Sequence, residues 1–417
     1  MIGMLTAYRR IFSHPGALAF SSAGLTARLG VAMTRFAIVA MLAQRPSAYA
    51  LAGAVTATQA ISYAVVGPRL ARAVDRHGQR RVLLPAAVAG SAALALLALC
   101  SALGAPSWTL FVAAAGAGVI PNAGSMVRAR WAALLGGTDD LHPAYSLESV
   151  VDEVVFTIGP VLAIGLATTV APQSALFTAA ALLLLGCWLL ARQTATEPPR
   201  TPRAPTERRG SALRFPGMPA LVLTFLAIGA IFASVEVVTM AFAANLGHKE
   251  LASPVLAVYA VGSAVAGLVY GGLRPPGTLR QRVVVGAALM TLTMLPLLMT
   301  NGLLVLGVVL FVAGGACAPT LATALGLIEA TVPREQVTEG MTWSSTGLGF
   351  GIALGAALAG QAVATAGPRT AFAVPVAFGL LGVAAVALGL RGADTRNGTR
   401  TTTEQSGVAP ATVPAEV

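Results

Sequence analysis

The sequence predicts an all-α membrane protein with about twelve transmembrane helices in two six-helix bundles. Of its 417 residues, 56% are apolar and 10% are charged, whereas about 25% are charged in an average soluble domain. The apolar residues form long unbroken runs, each long enough for a helix to cross a hydrocarbon core of about 30 Å. These features exclude a soluble enzyme, a coiled coil, a disordered chain and an outer-membrane barrel.

A polar segment divides the predicted spans into two sets of six. The approximate spans are 17–43, 48–70, 82–103, 107–131, 145–170, 173–192, 217–245, 250–272, 282–299, 302–327, 339–365 and 369–391. Residues 193–216 are rich in Pro, Arg, Thr and Glu and lack an apolar face, which predicts a solvated linker. We therefore expect an N-terminal bundle (1–192), this cytoplasmic linker, a C-terminal bundle (217–391) and a disordered cytoplasmic tail (392–417).

The basic residues predict the orientation of the chain. The sequence has 27 Lys and Arg against 16 Asp and Glu, a formal charge of +11. With both termini inside, the outer loops hold only Arg45, Lys249 and Arg369. Because cytoplasmic loops carry the excess of Lys and Arg, we expect a multi-pass protein of the plasma membrane with both termini cytoplasmic.

Short segments recur with an offset of about 200 residues. Phe111-Val112-Ala113, followed by Pro121, corresponds to Phe311-Val312-Ala313, followed by Pro319. Together with the equal span counts, this recurrence favours two bundles that arose by duplication, as parallel six-helix repeats do.

The loop after the second span carries the most informative motif, GPRLARAVDRHGQRRVLL from Gly67 to Leu84. Gly78 permits a tight turn, and Asp75 is able to pair with a helix N-terminus or an arginine. We expect a cytoplasmic latch that holds one conformation and releases in another. Its residues are Gly67, Ala71, Asp75, Arg76, Gly78, Arg80 and Arg81. The alternative is a basic loop that only sets the topology.

This motif resembles the cytoplasmic signature of the major facilitator superfamily, with Ala71 where that family usually has glycine. Gly159-Pro160 in span five resembles the helix-packing signature of the family's drug/proton antiporters, with Ala163 in place of a glycine. Val112 stands where the family's fourth helix usually has arginine. The resemblance, which is to actinobacterial-type permeases, implies two bundles around a central cavity and secondary active transport by alternating access.

The resemblance also implies a function, for which alternatives stay open. We expect proton-coupled efflux of a small molecule, with import of a nutrient or metabolite as the alternative. A non-transporting receptor or sensor would need a signalling domain, and an intramembrane enzyme would need a catalytic constellation inside the spans. The sequence shows neither, nor a phosphate-binding loop or a metal motif. We therefore expect no enzyme activity, cofactor, metal or nucleic acid, and a monomer whose partners are substrate, protons and the lipid bilayer.

Charged residues inside the spans are the candidate substrate and proton-coupling sites. A charge near the bilayer centre costs roughly 2.5–3.5 kcal/mol on insertion scales, so it is usually paired or lines a cavity. The candidates are Arg28, Arg35, Asp152, Glu153 and Glu236. We expect Arg35 and Glu236 to meet across the two halves, since each lies about 18 residues into the first span of its half. We expect Arg28 to pair with Asp152.

More charges lie at the inner ends of the spans. Arg128 and Arg130, next to Trp131, have two interpretations. They are snorkelling cations beside an interfacial aromatic residue, or they form a second inner latch to Glu148 or Asp152. We also expect the one acidic inner loop to face the basic loop after span two; its acids are Glu329, Glu335 and Glu339.

Overall fold

A computed structural model of the chain describes residues 2–42, 49–199, 210–248, 251–273 and 275–389. All regular secondary structure in these ranges is helical, which confirms the predicted all-α class. The α-helices are α1 Ile2–Phe12, α2 Ala17–Leu42, α3 Tyr49–His77, α4 Gln79–Ala102, α5 Ser107–Gly116, α6 Ala123–Leu135, α7 Leu141–Thr169, α8 Ser174–Arg192, α9 Met218–Asn245, α10 Ala252–Gly271, α11 Leu279–Met294, α12 Leu303–Gly314, α13 Cys317–Thr331, α14 Val337–Ala366, α15 Pro368–Ala371 and α16 Ala373–Gly389.

Within the described ranges, ten helical segments are long and apolar enough to cross a membrane. Ten of the twelve predicted spans correspond to these segments. The second and fourth predicted spans correspond to α3 and to the short helices α5 and α6, which are not among the ten. The chain is therefore a multi-pass membrane protein.

The fourth and tenth spans, predicted as continuous, are each divided into two helices. α5 ends at Gly116, and α6 begins after Pro121, whose ring fixes its φ and removes a backbone donor. Asn122 then caps α6 by accepting a hydrogen bond from the Ser125 backbone N–H at 2.9 Å. In the second half, α12 and α13 are separated at Gly315–Ala316. The two breaks lie at equivalent places in the two halves.

The helices pack as two groups. Helices α2–α8 pack mainly on one another and form the first group, whereas α9–α16 form the second group. Contact between the groups runs through α3 with α14, α6 with α14, and α7 with α10 and α13. We call the end of the molecule where α3 meets α4 the motif end, because it carries the Gly67–Leu84 motif.

Only the two ends of the predicted linker are described. Residues 193–199 include a short 3₁₀ helix, Thr194–Thr196, and residues 210–217 include another, Ala212–Arg214. Residues 200–209, the tail 392–417, Arg45 and Lys249 lie outside the described residues.

Candidate functional site

Four charged residues form an ionic cluster inside the first group. Arg28 of α2 forms ion pairs with two acids of α7, Glu148 at 2.6 Å and Asp152 at 2.9 Å. Arg128 of α6 binds the second carboxylate oxygen of Asp152. The structure therefore brings Arg28 and Asp152 together, places Arg128 on Asp152, and balances two cations with two acids. Mutual pairing offsets much of the cost of holding these charges away from water.

Glu148 is the fully buried acid of this cluster. Besides its ion pair with Arg28, it accepts hydrogen bonds from the Ser21 hydroxyl at 3.1 Å and the Trp131 indole N–H at 2.9 Å. The Trp131 ring is also fully buried and packs edge-on against Phe20, with ring centroids 4.6 Å apart. Trp131 is thus a buried donor to an acid, and its interpretation as an interfacial aromatic residue is wrong.

Arg130 is likewise buried within the protein, with 1% of its surface exposed. Its guanidinium donates to the Gln79 side chain at 2.7 Å and to the backbone oxygens of Leu190 at 3.0 Å and Gln193 at 2.7 Å. The snorkelling interpretation is therefore wrong for Arg130. All these partners lie at the start of α4 or around the end of α8, so Arg130 of α6 fastens these two helix ends to α6.

The latch contact joins α3 to α14 at the motif end. A carboxylate oxygen of Asp75 accepts a hydrogen bond from the Glu339 backbone N–H at 2.8 Å, in the first turn of α14. Arg72 forms an ion pair with the Glu339 carboxylate at 3.3 Å. Glu339 also accepts from the Ser211 hydroxyl at 2.6 Å and the Trp343 indole at 3.2 Å. One acid from each group therefore holds this end closed.

The other motif residues contribute less directly. A Cβ added to Gly67 would make an ordinary van der Waals contact with Thr342 of α14 at 3.6 Å, and Ala71 is buried. Gly78 has a φ of 89°, which lets α4 start directly after α3. The side chains of the remaining motif arginines are exposed to solvent; they are Arg76, Arg80 and Arg81.

Arg35 and Glu236 lie on α2 and α9 and are close enough to attract each other. The ion pairs within 4.0 Å among the described residues do not include this pair. The Arg35 guanidinium instead lies over the neighbouring Phe36 ring, 4.7 Å from its centroid. The two groups thus place opposite charges toward each other without joining them.

Glu153 follows Asp152 on α7 and faces Ser263 of α10 in the second group. Its charge also acts on Tyr259 of α10 and Cys317 of α13. All three neighbours are buried. Sequence reasoning identified Glu153 but not these partners, since Ser, Tyr and Cys within apolar runs give no distinctive pattern.

Gly159 and Pro160 lie inside an unbroken α7. A Cβ added to Gly159 would come within 2.9 Å of the Ala32 side chain on α2. The glycine therefore allows α2 and α7 to approach closely on the far side of the ionic cluster.

The helix α1 was missed by the sequence analysis, and it joins both groups at the motif end. The Tyr8 hydroxyl donates to the Leu268 carbonyl of α10 at 2.9 Å, and burial raises the pKa of Tyr8 to about 12. The Arg10 Nε donates to Asp140 at 2.7 Å. Nearby, His142 contacts the Tyr270 carbonyl at 3.0 Å. A cavity of about 510 Å³ lies between α1 and the α10–α11 connection.

The described residues contain no group of three or more His, Cys, Asp or Glu arranged to hold a metal ion. The polar groups between the two helix groups are instead suited to ion pairing, hydrogen bonding and proton transfer.

Comparison with known proteins shows the family. The model of the Major Facilitator Superfamily matches residues 20–275 and 252–414. The chain belongs to the major facilitator superfamily. This confirms the resemblance seen in the motif, and it indicates a transporter of a small molecule rather than an enzyme.

Solved structures of transporters share the fold. The human organic anion transporter MFSD10 (TETRAN) has a TM-score of 0.69 at 17% identity, covering 89% of this chain and 99% of that chain. A bacterial homologue of the iron transporter ferroportin in the outward-facing state has a TM-score of 0.70 at 15% identity, covering 89% and 98%. A search of the curated proteins gave no match.

Proposed function

We propose that this superfamily member exports a small molecule across the plasma membrane in exchange for protons. The observation that carries this proposal is the set of charged residues inside the spans, which comprises the ionic cluster of the first group, Glu153 beside it and the opposite charges of Arg35 and Glu236, together with the contacts that close the motif end. Its acids, Asp152, Glu153 and Glu236, are the candidates for proton binding. Ionisable residues inside a transport protein mark ion and proton pathways by default.

The conformation described here corresponds to one end state of the proposed transport cycle. With both termini cytoplasmic, the motif end faces the cytoplasm and is closed by Asp75, Arg72 and Glu339. Alternating access then consists of opening this end while the opposite end closes, by rocking of residues 1–192 against residues 217–391. The monomer contains both groups, so we expect it to be the functional unit.

Transport into proteoliposomes with trapped pyranine, a pH-sensitive dye, tests the function. Ethidium serves as a cationic probe and fluorescein as an anionic probe, because one structural relative is an organic anion transporter. An imposed pH gradient should drive probe movement against its gradient, and a protonophore should abolish it. Probe movement at the same rate with and without the pH gradient would contradict proton coupling. Accumulation only in the direction of import would favour the nutrient importer.

A further inference from the structure

Glu153 lies beside the ionic cluster, but the charges of the cluster are already balanced without it. Arg28 and Arg128 are matched by Glu148 and Asp152. No Lys or Arg in the described ranges forms an ion pair with Glu153, and the charge that acts on it comes from Asp152, an acid. An ionised Glu153 would therefore be an uncompensated negative charge beside the charge of Asp152, which favours its uncharged form.

The groups facing Glu153 from the second group are uncharged. Ser263 and Tyr259 lie on α10, and Cys317 lies at the start of α13. The hydroxyls of Ser263 and Tyr259 are buried without an aligned hydrogen-bond partner. A hydroxyl both donates and accepts, so these two groups are able to serve the carboxyl group with or without its proton.

The position of Glu153 makes its surroundings depend on conformation. It lies 12 residues after the start of α7, or about 18 Å along the helix axis, near the middle of a span. The acid belongs to the first group, whereas Ser263, Tyr259 and Cys317 belong to the second. Because α7 packs on α10 in this conformation, separation of the two groups along this line would replace the neutral neighbours of Glu153 with water.

We propose that Glu153 is the acid that carries the coupling proton, whereas Asp152 is a structural partner of Arg28 and Arg128. This proposal rests on the proposed function. In the conformation described here, the Glu153 carboxyl group holds the proton against Ser263. When the motif end opens, the carboxyl O–H bond breaks and the proton passes to water on that side. The carboxylate then takes a proton from water on the opposite side.

Two acid-to-amide variants at adjacent positions test this assignment. Glu153→Gln and Asp152→Asn are purified and placed in proteoliposomes with the probe that the wild-type protein moves, ethidium or fluorescein. One assay measures one-for-one exchange of probe without a pH gradient. A second assay measures accumulation under a gradient of one pH unit, which supports up to about tenfold accumulation for one-for-one coupling.

We expect Glu153→Gln to exchange probe within about twofold of wild type but to lose accumulation. Asp152→Asn should instead lower the thermal unfolding temperature, because it leaves Arg128 without its acid. Accumulation that persists in Glu153→Gln would overturn the assignment while leaving proton-coupled export intact. Loss of exchange in a well-folded Glu153→Gln would also overturn it. If the wild-type protein exchanges probe but never accumulates it, the proposed function itself fails.

Two milder variants keep the proposal testable if Glu153→Gln does not fold. Glu153→Asp retains a carboxyl group and should keep at least about half of the accumulation. Ser263→Ala removes a neutral neighbour without touching the ionic cluster, and it should shift the pH midpoint of transport. An unchanged pH profile in Ser263→Ala, together with full loss of coupling in Glu153→Asp, would contradict the role of this pair.

Discussion

The helix pairs α2–α7 and α9–α14 occupy equivalent places in the two groups, yet different chemistry holds them together. Arg28, Glu148 and Asp152 join α2 to α7 through buried ion pairs. In contrast, Gly229 and Gly351 bring the backbones of α9 and α14 into direct contact. Close approach through small residues is a general way to pack helices in lipid.

This difference lies inside the two groups and not at the boundary between them. From the first group, Asp75 accepts from the Glu339 backbone N–H, and Glu153 faces the uncharged Ser263. The second group also contributes charged side chains, because Glu339 pairs with Arg72 and Glu236 attracts Arg35. The boundary is therefore polar on both sides, whereas the glycines pack α9 on α14 within the second group.

The largest expected effect is on the ionic side of the comparison. Glu148→Gln removes a fully buried charge from Arg28, and breaking a buried pair in this way usually costs about 3–5 kcal/mol. We expect a marked fall in the thermal unfolding temperature in detergent. Glu236→Gln is the matched control, because no cation lies within 4.0 Å of Glu236 in the described residues. Equal unfolding temperatures for the two variants would show that the cluster does not stabilise the first group.

The next effect tests the glycine-packed side. The Cβ added by Gly351→Ala would clash with the Leu226 carbonyl oxygen of α9. Overpacking of this kind typically lowers the free energy of unfolding by about 1–3 kcal/mol. Gly349→Ala lies two residues away and meets nothing within 4 Å. Since alanine favours helices over glycine by roughly 1 kcal/mol, the control should be as stable as wild type or more so. If both variants melt alike, α9–α14 packing is looser than the structure indicates.

A third variant separates the latch contact from the rest of its motif. Asp75→Asn removes the negative charge beside the N-terminus of α14. The interaction of such a charge with a helix N-terminus is worth about 0.3–1 kcal/mol. We expect the ratio of closed to open molecules at the motif end to fall up to about fivefold. Distances between spin labels at the exposed positions 76 and 334, in a cysteine-free background, would measure this shift. Arg81→Gln should not change these distances, because the Arg81 side chain is exposed. A distance change as large as that of Asp75→Asn would show that Arg81 also contributes to the latch contact.

Sequence patterns revealed the fold because it depends on long apolar runs and on one loop motif. Charges in such runs are rare, so Arg28 and Asp152 were visible as candidates and as a pair. The neutral partners were not visible, since Ser263 or Trp131 looks the same whether it contacts lipid or an acid. The helix breaks at Gly116 and Gly315 also escaped notice, because hydropathy does not distinguish one helix from two short ones in line.

The helix α1 escaped for a different reason, and it supplies the smallest expected effect. Its 11 residues are too few to span a membrane, and its role depends on a contact to Leu268, 260 positions away in the chain. Tyr8→Phe removes the hydrogen bond between α1 and the second group, which is worth about 0.5–1.5 kcal/mol. Hydrogen exchange of the α1 backbone should therefore speed up severalfold, and the motif end should open slightly. Arg10→Gln is the comparison, because the Arg10–Asp140 pair joins α1 only to the first group. It should loosen α1 without opening the motif end, and equal opening in both variants would mean that the Tyr8 contact does not hold the groups together.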